Sequence, residues 1–352
     1  MNSKIKYLYA KLKQASLDGL LLSSAPNISY LSNLRSRDSY LLVSPKDNVY
    51  ITDARYTEEI KKNLKGCVLR KINGSFFKTI ASSCVDLGLK RMGFEERYLP
   101  FAEYKKLKSE LGTRADLIPT YNIVEDLREI KNPREMEKIK KAARITIAAL
   151  EFIKGFIAPG IKEIEVAAEL ERFIRYHGAD AAAFEIIVAS GPNSSFPHHI
   201  TSARKIRNNE AVLIDIGADY LGYKSDLTRV FFLGKMNTLS KRIYAIIKEA
   251  QSRAIRKIKP GSPVNEVDRA ARQYITERGY GGFFSHNTGH GIGLEVHEAP
   301  HISGRENKVF KEGMVLSVEP AIYLPGKFGI RIEDMVVVTR KGTQLISGSL
   351  HK

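Results

Sequence analysis

Apolar positions in this chain follow helical and strand periods by turns. Residues 3–18 spread lysines through an amphipathic pattern that predicts a helix, and Gly19–Ser23 is a short apolar run of strand type. Tyr40–Val43 predicts a second strand, Asp47-Asn48 a turn, and Val49–Thr52 a third strand. Helices over Arg55–Lys65, Phe76–Leu87 and Phe101–Leu111 follow, with a strand at Arg91–Phe94 between the last two. This alternation describes an α/β (α+β) domain over residues 1–122, with a strand-rich core and helical cover. It contains no histidine, no phosphate loop and no nucleophile motif, so it is expected to shape a site or an interface and not to perform chemistry.

Residues 123–131 change to a charged connector, and a second domain is expected over residues 132–352. Asn132 can cap a helix, Pro133 suits its first position, and Glu135 can reach back to complete a capping box. Apolar residues at Ile139, Ala142, Ala143, Ile147, Leu150 and Ile153 mark the buried face of a helix running to about Phe156. Ile157-Ala158-Pro159-Gly160 then leads to a second helix ending at His177-Gly178. Ile258-Lys259-Pro260-Gly261 and a helix ending at Arg278-Gly279 repeat the arrangement 101 residues later. Two related halves with a cleft between them are therefore expected, and such a cleft is a natural site.

The chemistry gathers in that second domain. Ala211–Ile216 and Thr228–Leu233 read as two strands of a hairpin, each with one carboxylate in or beside an apolar run. A turn centred between Tyr220 and Leu221 would place Asp215 directly opposite Asp226, with Cβ atoms roughly 5 Å apart. A buried carboxylate pair needs a basic partner or a metal ion. The plainer alternative is that Asp226 caps the turn and Asp215 pairs with Arg229. Further on, a predicted strand Phe184–Ser190 leads to His198 and His199. His290 lies in Thr288-Gly289-His290-Gly291-Ile292-Gly293, where glycines permit close approach. His297-Glu298 follows, Glu319 closes a predicted strand Met314–Glu319, and Glu333 falls inside another, Ile330–Thr339. Arg331 is an available partner for one of these glutamates. Four carboxylates and one imidazole suit a pair of divalent cations with mixed oxygen and nitrogen ligation.

Composition narrows the picture. With 43% hydrophobic and 27% charged residues the chain is an ordinary globular protein. Its net charge of +17 is spread along its length, without a basic tail or recognition motif, so nucleic acid is not an expected partner. No apolar run approaches a membrane span and the first residues do not form a signal peptide. Two cysteines, Cys67 and Cys84, in no metal-ligand spacing suit a reducing compartment, so a cytoplasmic protein without a membrane partner is expected.

The segments IDIGADYLGYKSDLTR, TGHGIGLEVHE, LSVEP and GIRIED resemble the signatures of the metallopeptidase family that contains aminopeptidase P and prolidase. The likeness covers nearly the whole chain. It implies a creatinase-like N-terminal domain followed by a pita-bread catalytic domain with internal pseudo-two-fold symmetry. By resemblance Asp215, Asp226, His290, Glu319 and Glu333 hold two divalent metal ions, Mn2+ first and Co2+ or Zn2+ as alternatives. Asp215 is expected to bind one ion through both oxygens, with Asp226 and Glu333 as bridges. His198, His297 and Glu319 are the implied catalytic residues, and His199 is read as the neighbour of His198, facing away in an extended strand.

The implied reaction is hydrolysis of the bond between an N-terminal residue and a following proline in a peptide, as in aminopeptidase P. Prolidase action on dipeptides alone is the nearest alternative. A catalytically inactive peptide-binding protein is a second, disfavoured because no ligand is missing. Methionine aminopeptidases normally lack the N-terminal domain, and creatinase-like chemistry needs no metal pair. A homodimer is implied. Tyr30–Ser39, with basic Leu34-Arg35-Ser36-Arg37, departs from the glycine-containing segment that commonly reaches a neighbouring subunit's site.

Overall fold

A computed structural model describes residues 3–348 in two units, the first ending at Arg128 and the second beginning at Glu129. In the first, six strands form one mixed sheet in the order Val68–Lys71, Asn48–Thr52, Ser39–Val43, Gly19–Leu22, Arg91–Glu95, Asp116–Thr120. The three central strands pair antiparallel, whereas the flanking pairs are parallel. Parallel neighbours need crossovers: helix Thr57–Asn63 joins Asn48–Thr52 to Val68–Lys71 and Phe101–Leu111 joins Arg91–Glu95 to Asp116–Thr120, while Phe76–Leu87 carries the chain from Val68–Lys71 across the sheet to Arg91–Glu95. Ile80, Cys84, Leu107 and Leu111 on these helices join Leu21, Leu42, Ile51 and Met92 of the sheet in one core.

Three elements here escape the periodicity. The edge strands Val68–Lys71 and Asp116–Thr120 contain no fully buried residue and so lack an apolar alternation. Helix Ala25–Ser32 carries a proline in its first turn, where the missing N–H costs nothing, and ends at Asn33 with φ of 57°. The first residues of Tyr30–Ser39 thus belong to a helix. The first helix is also shorter than expected, Ser3–Gln14, and residues 123–131 contain a short helix, Glu125–Arg128.

The second unit is built twice. Each half begins with a long helix capped by an asparagine: Pro133–Ile153 after Asn132 and Thr238–Lys257 after Asn237. The first has the full capping box, with Asn132 accepting from the Glu135 amide and Glu135 accepting from the Asn132 amide. A glycine with positive φ then turns each chain, and its N–H is bonded identically in the two halves. Gly160 donates to the Ile206 carbonyl at 2.8 Å, and Gly261 to the Phe310 carbonyl at 2.9 Å. Amphipathic helices Glu163–Tyr176 and Asn265–Glu277 follow.

Each helix pair covers its own antiparallel sheet. One is ordered Leu227–Phe232, Ala211–Ile216, Ile187–Ser190. The other is ordered Glu298–Ile302, Gly289–Gly291, Val315–Val318, Asp334–Thr339, Gly342–Leu345. Two apolar cores result, one around Ile139, Leu150, Leu170 and Ile214, the other around Ile247, Ile275, Leu316 and Ile330. The sheets meet where the Glu333 amide donates to the Thr228 carbonyl at 3.2 Å. Among the described residues no helix is long and apolar enough to cross a membrane.

Gly217 sits at the break in the central hairpin, and a Cβ there would lie 2.0 Å from the Ser225 carbonyl oxygen. Gly217→Ala must therefore push the two strands apart. We expect a loss of about 1–3 kcal/mol in denaturant unfolding. Gly282→Ala, whose Cβ would meet nothing within 4 Å, should leave the midpoint unmoved.

Candidate active site

The hairpin register sets the first two carboxylates. Asp215 pairs with Thr228, Asp219 with Lys224 and Tyr220 with Tyr223. The turn therefore centres on Leu221 and Gly222, both at positive φ, one residue later than the sequence suggests. That shift places Asp226 across from Gly217 and diagonal to Asp215, correcting the expected direct opposition. Both aspartates still line one cavity. Asp226 does not cap the turn. The Gly222 amide donates to Asp219 and the Leu221 amide to Asp180. Asp215 accepts from Arg331 at 2.6 Å, while Arg229 instead pairs with Asp334 at 2.7 Å.

The second half supplies the remaining groups. His290 occupies a three-residue strand between two others, and its flanking glycines allow their approach. A Cβ on Gly289 would lie 2.0 Å from the Ser317 carbonyl oxygen, and one on Gly291 2.2 Å from that of Ala299. His290 Nδ1 lies 3.0 Å from the Gly291 carbonyl, which directs Nε2 toward Asp226 Oδ2 at 3.6 Å and Glu319 Oε1 at 3.5 Å. Glu319 immediately follows strand Val315–Val318, and its amide donates to the Thr288 carbonyl at 2.8 Å. Glu333 lies between strands Phe328–Arg331 and Asp334–Thr339, not inside one continuous strand as expected. Its carboxylate accepts from Thr228 Oγ1 at 2.7 Å and from Ser317 Oγ.

All five residues line a cavity of about 440 Å³. Asp226, His290 and Glu333 each present a ligand atom within 4.8 Å of the others. One oxygen of Asp215 and one of Asp226 are buried without a hydrogen-bond partner. Burial, followed by the charge of Glu333, pushes the Asp226 and Glu319 carboxyls well above the usual range. Burial and the charge of Asp215 raise Glu333 to about 7, although Ser317 and Thr228 pull the other way. Burial, with His297 nearby, drops His290 to about 3, so its imidazole is neutral. For Arg331, burial is outweighed by Tyr323, Asp215 and Glu319, which hold the guanidinium charged. Orphaned oxygens, acids that resist ionisation and a neutral imidazole are what a divalent cation would relieve, so this donor set fits one.

His198, His199 and His297 also line the cavity. His199 does not face away from it, because residues 197–199 are not extended. Its Nε2 lies 3.0 Å from Glu163, a buried carboxylate that also accepts from Ser190 and Ser202. The His297 ring meets that of His290 at 4.4 Å, edge to face. Partial burial, then His301, lowers its pKa. The loop before it is held by Glu298, whose carboxylate accepts from the Glu295 amide at 3.1 Å and pairs with buried Lys131 at 3.2 Å. His286 and His301 join the lining without having been expected. His286 lies in contact with Tyr323 at 3.0 Å, and burial lowers it to about 4. His286 and His301 flank the segment Thr288–Glu298 by two and three residues, and nothing in their own neighbouring residues marks them out. The role of Arg331 was more accessible, since it lies two residues before Glu333 and shares its side of an extended segment.

Comparisons with known proteins give the family and the fold. Residues 137–340 match metallopeptidase family M24, and residues 4–130 match the Creatinase/Prolidase N-terminal domain. A Bacillus subtilis protein named as an uncharacterized peptidase, YqhT, is 39% identical over 98% of both chains. The solved structure named Xaa-Pro dipeptidase from Bacillus anthracis is 42% identical. It covers 99% of this chain and 98% of that one, at a TM-score of 0.96. The X-Pro aminopeptidase of Thermotoga maritima is 36% identical over 96% and 97% of the two chains, with a TM-score of 0.88. With its creatinase-like first domain and pita-bread second domain, this chain belongs to metallopeptidase family M24 and is a hydrolase.

Proposed function

We propose that this chain hydrolyses the peptide bond between an N-terminal residue and proline, using two divalent metal ions held by Asp215, Asp226, His290, Glu319 and Glu333. The observation that carries the reading is the convergence of these five side chains on one cavity, with two carboxylate oxygens left unpartnered. When bound, the ions would act as Lewis acids and lower the pKa of water toward about 7. Mn2+ is the first choice, with Co2+ and Zn2+ as alternatives.

The protein's own residues divide the remaining work. Glu319, beside His290 at the cavity wall, takes a proton from water and passes it toward the departing proline nitrogen. His297 donates to the oxygen on which charge develops, and His198, also in the cavity lining, orients the carbonyl. Arg331 holds Asp215 in one orientation. A proline amide has no N–H, so the site need provide no acceptor for it, and the fixed ring can be selected by shape.

Two substrate lengths are weighed. Cleavage of longer peptides, as in aminopeptidase P, is favoured by the cavity volume and by Ile200, a lining residue exposed at 75%. Restriction to dipeptides is favoured by the name of the Bacillus anthracis relative. Hydrolysis of Ala-Pro beside Ala-Pro-Ala, with and without chelator, decides between them by amine release. Cleavage of both, or of the longer peptide alone, supports the aminopeptidase reading, and cleavage of Ala-Pro alone makes the chain a prolidase. Failure on both after loading with Mn2+, Co2+ or Zn2+ would sink the peptidase proposal.

Glu333→Gln should abolish turnover, by at least about 100-fold, and reduce the bound metal measured by elemental analysis. The same variant tests the electrostatics of the metal-free protein. A carboxyl held at about 7 in the folded state, against about 4.3 unfolded, stabilises the fold below the lower value. That contribution is lost as pH rises through the higher value. In chelator, Glu333→Gln should therefore gain stability relative to the parent between pH 5 and pH 8. A gap that stays constant over that range, or moves in the parent's favour, would exclude a protonated Glu333.

A further inference from the structure

Two buried polar side chains interrupt the apolar faces of the long helices. On Thr238–Lys257 the inward stripe of Ile243, Ile247, Ala250 and Ala254 contains Gln251, fully buried. Its amide nitrogen donates to the Val318 carbonyl at 2.9 Å and to the Ile332 carbonyl at 3.0 Å. Those residues immediately precede Glu319 and Glu333. Two oxygens bonded to one nitrogen can be at most about 6 Å apart, so one side chain fixes the separation of the chain segments that deliver both glutamates.

The first half holds a counterpart. Thr146 lies as far beyond capping Asn132 as Gln251 lies beyond capping Asn237, and it too is fully buried within an apolar stripe. Its hydroxyl is 2.8 Å from that of Ser225, the residue before Asp226. Ser225 Oγ in turn accepts from the Ala218 amide across the hairpin at 3.0 Å. A buried polar group is tolerated only when it is bonded, so each contact is costly to break and geometrically strict.

We infer that Gln251 and Thr146 are matched positioning residues. Each acts from the long helix of its half upon the residue preceding a carboxylate of the site, and together they set the spacing of Asp226, Glu319 and Glu333. The inference rests on the proposed metal-holding role of those carboxylates, but neither side chain touches the cavity. Their effect should therefore appear in metal affinity before it appears in anything else.

The test is calorimetric titration of chelator-stripped protein with Mn2+, alongside denaturant unfolding of the same samples. Gln251→Met, close in volume but without donors, should raise the Mn2+ dissociation constant about 10- to 100-fold. Thr146→Val, which removes a hydroxyl without changing shape, should raise it by a smaller factor and keeps the question answerable if Gln251→Met does not fold. Ile247→Ala truncates a buried neighbour on the same helix face and controls for general destabilisation. It should lower the unfolding midpoint yet bind Mn2+ like the parent. Dissociation constants for Gln251→Met and Thr146→Val within twofold of the parent would overturn the inference, as would equal weakening in Ile247→Ala. A parent that binds neither Mn2+, Co2+ nor Zn2+ would sink the metal reading itself and the inference with it.

Discussion

Like charges forced together in a dry place are the constraint on which the second unit depends. Asp215, Asp226, Glu319 and Glu333 share one cavity, and Arg331 is bonded to only the first of them. Two unit charges 4 Å apart repel by about 4 kcal/mol even at an effective dielectric of about 20. No small domain would gather such groups for stability. The raised pKa values of Asp226, Glu319 and Glu333 register that repulsion together with the loss of solvent. The surrounding fold can accordingly be understood as scaffolding that keeps the carboxylates from moving apart.

Its duplication serves that end. Asp215 and Asp226 come from the hairpin of one half, and His290, Glu319 and Glu333 from the sheet of the other. The halves are tied beside the site by the Glu333 amide on Thr228, by the Thr228 hydroxyl on the Glu333 carboxylate, and by Arg229 on the Glu333 carbonyl. Glycine permits the closest approaches. At Gly217, Gly289 and Gly291 a Cβ would meet a neighbouring carbonyl at about 2 Å, so strand spacing is set by backbone alone just where the ligands sit.

Much of this was legible in the chain because the relevant signals are local. The Asn132 capping box, the helices Phe76–Leu87 and Phe101–Leu111, and the repeated Pro-Gly turns each depend on a few neighbouring residues. Asp215, Asp226, His290, Glu319 and Glu333 were legible as a set for another reason: carboxylates in or beside apolar runs are conspicuous, but it was the resemblance of their segments to the family's signatures that implied they act together. What failed was finer. The hairpin register moved because Leu221 and Gly222, rather than Tyr220 and Leu221, adopt positive φ, and a side chain such as leucine gives little notice of that conformation. Pairing of Asp215 with Arg331 over Arg229 depends on how two distant strands lie, and the tethering of His199 to Glu163 joins residues far apart in sequence.

A metal-holding reading also changes what counts as stability here. Ligands contributed by both halves would make each bound ion a cross-link between them, and binding to the folded state alone stabilises it by mass action. At a free concentration 100 times the dissociation constant that gain is about 2.7 kcal/mol. It is of the same order as the repulsion between two of the carboxylates. A cluster whose mutual repulsion works against the metal-free fold would thus become, once neutralised, a contact that joins its halves. Selection for tight spacing of these carboxylates and selection for a stable second unit would then favour the same residues, including those, like Gln251 and Thr146, that never face the cavity.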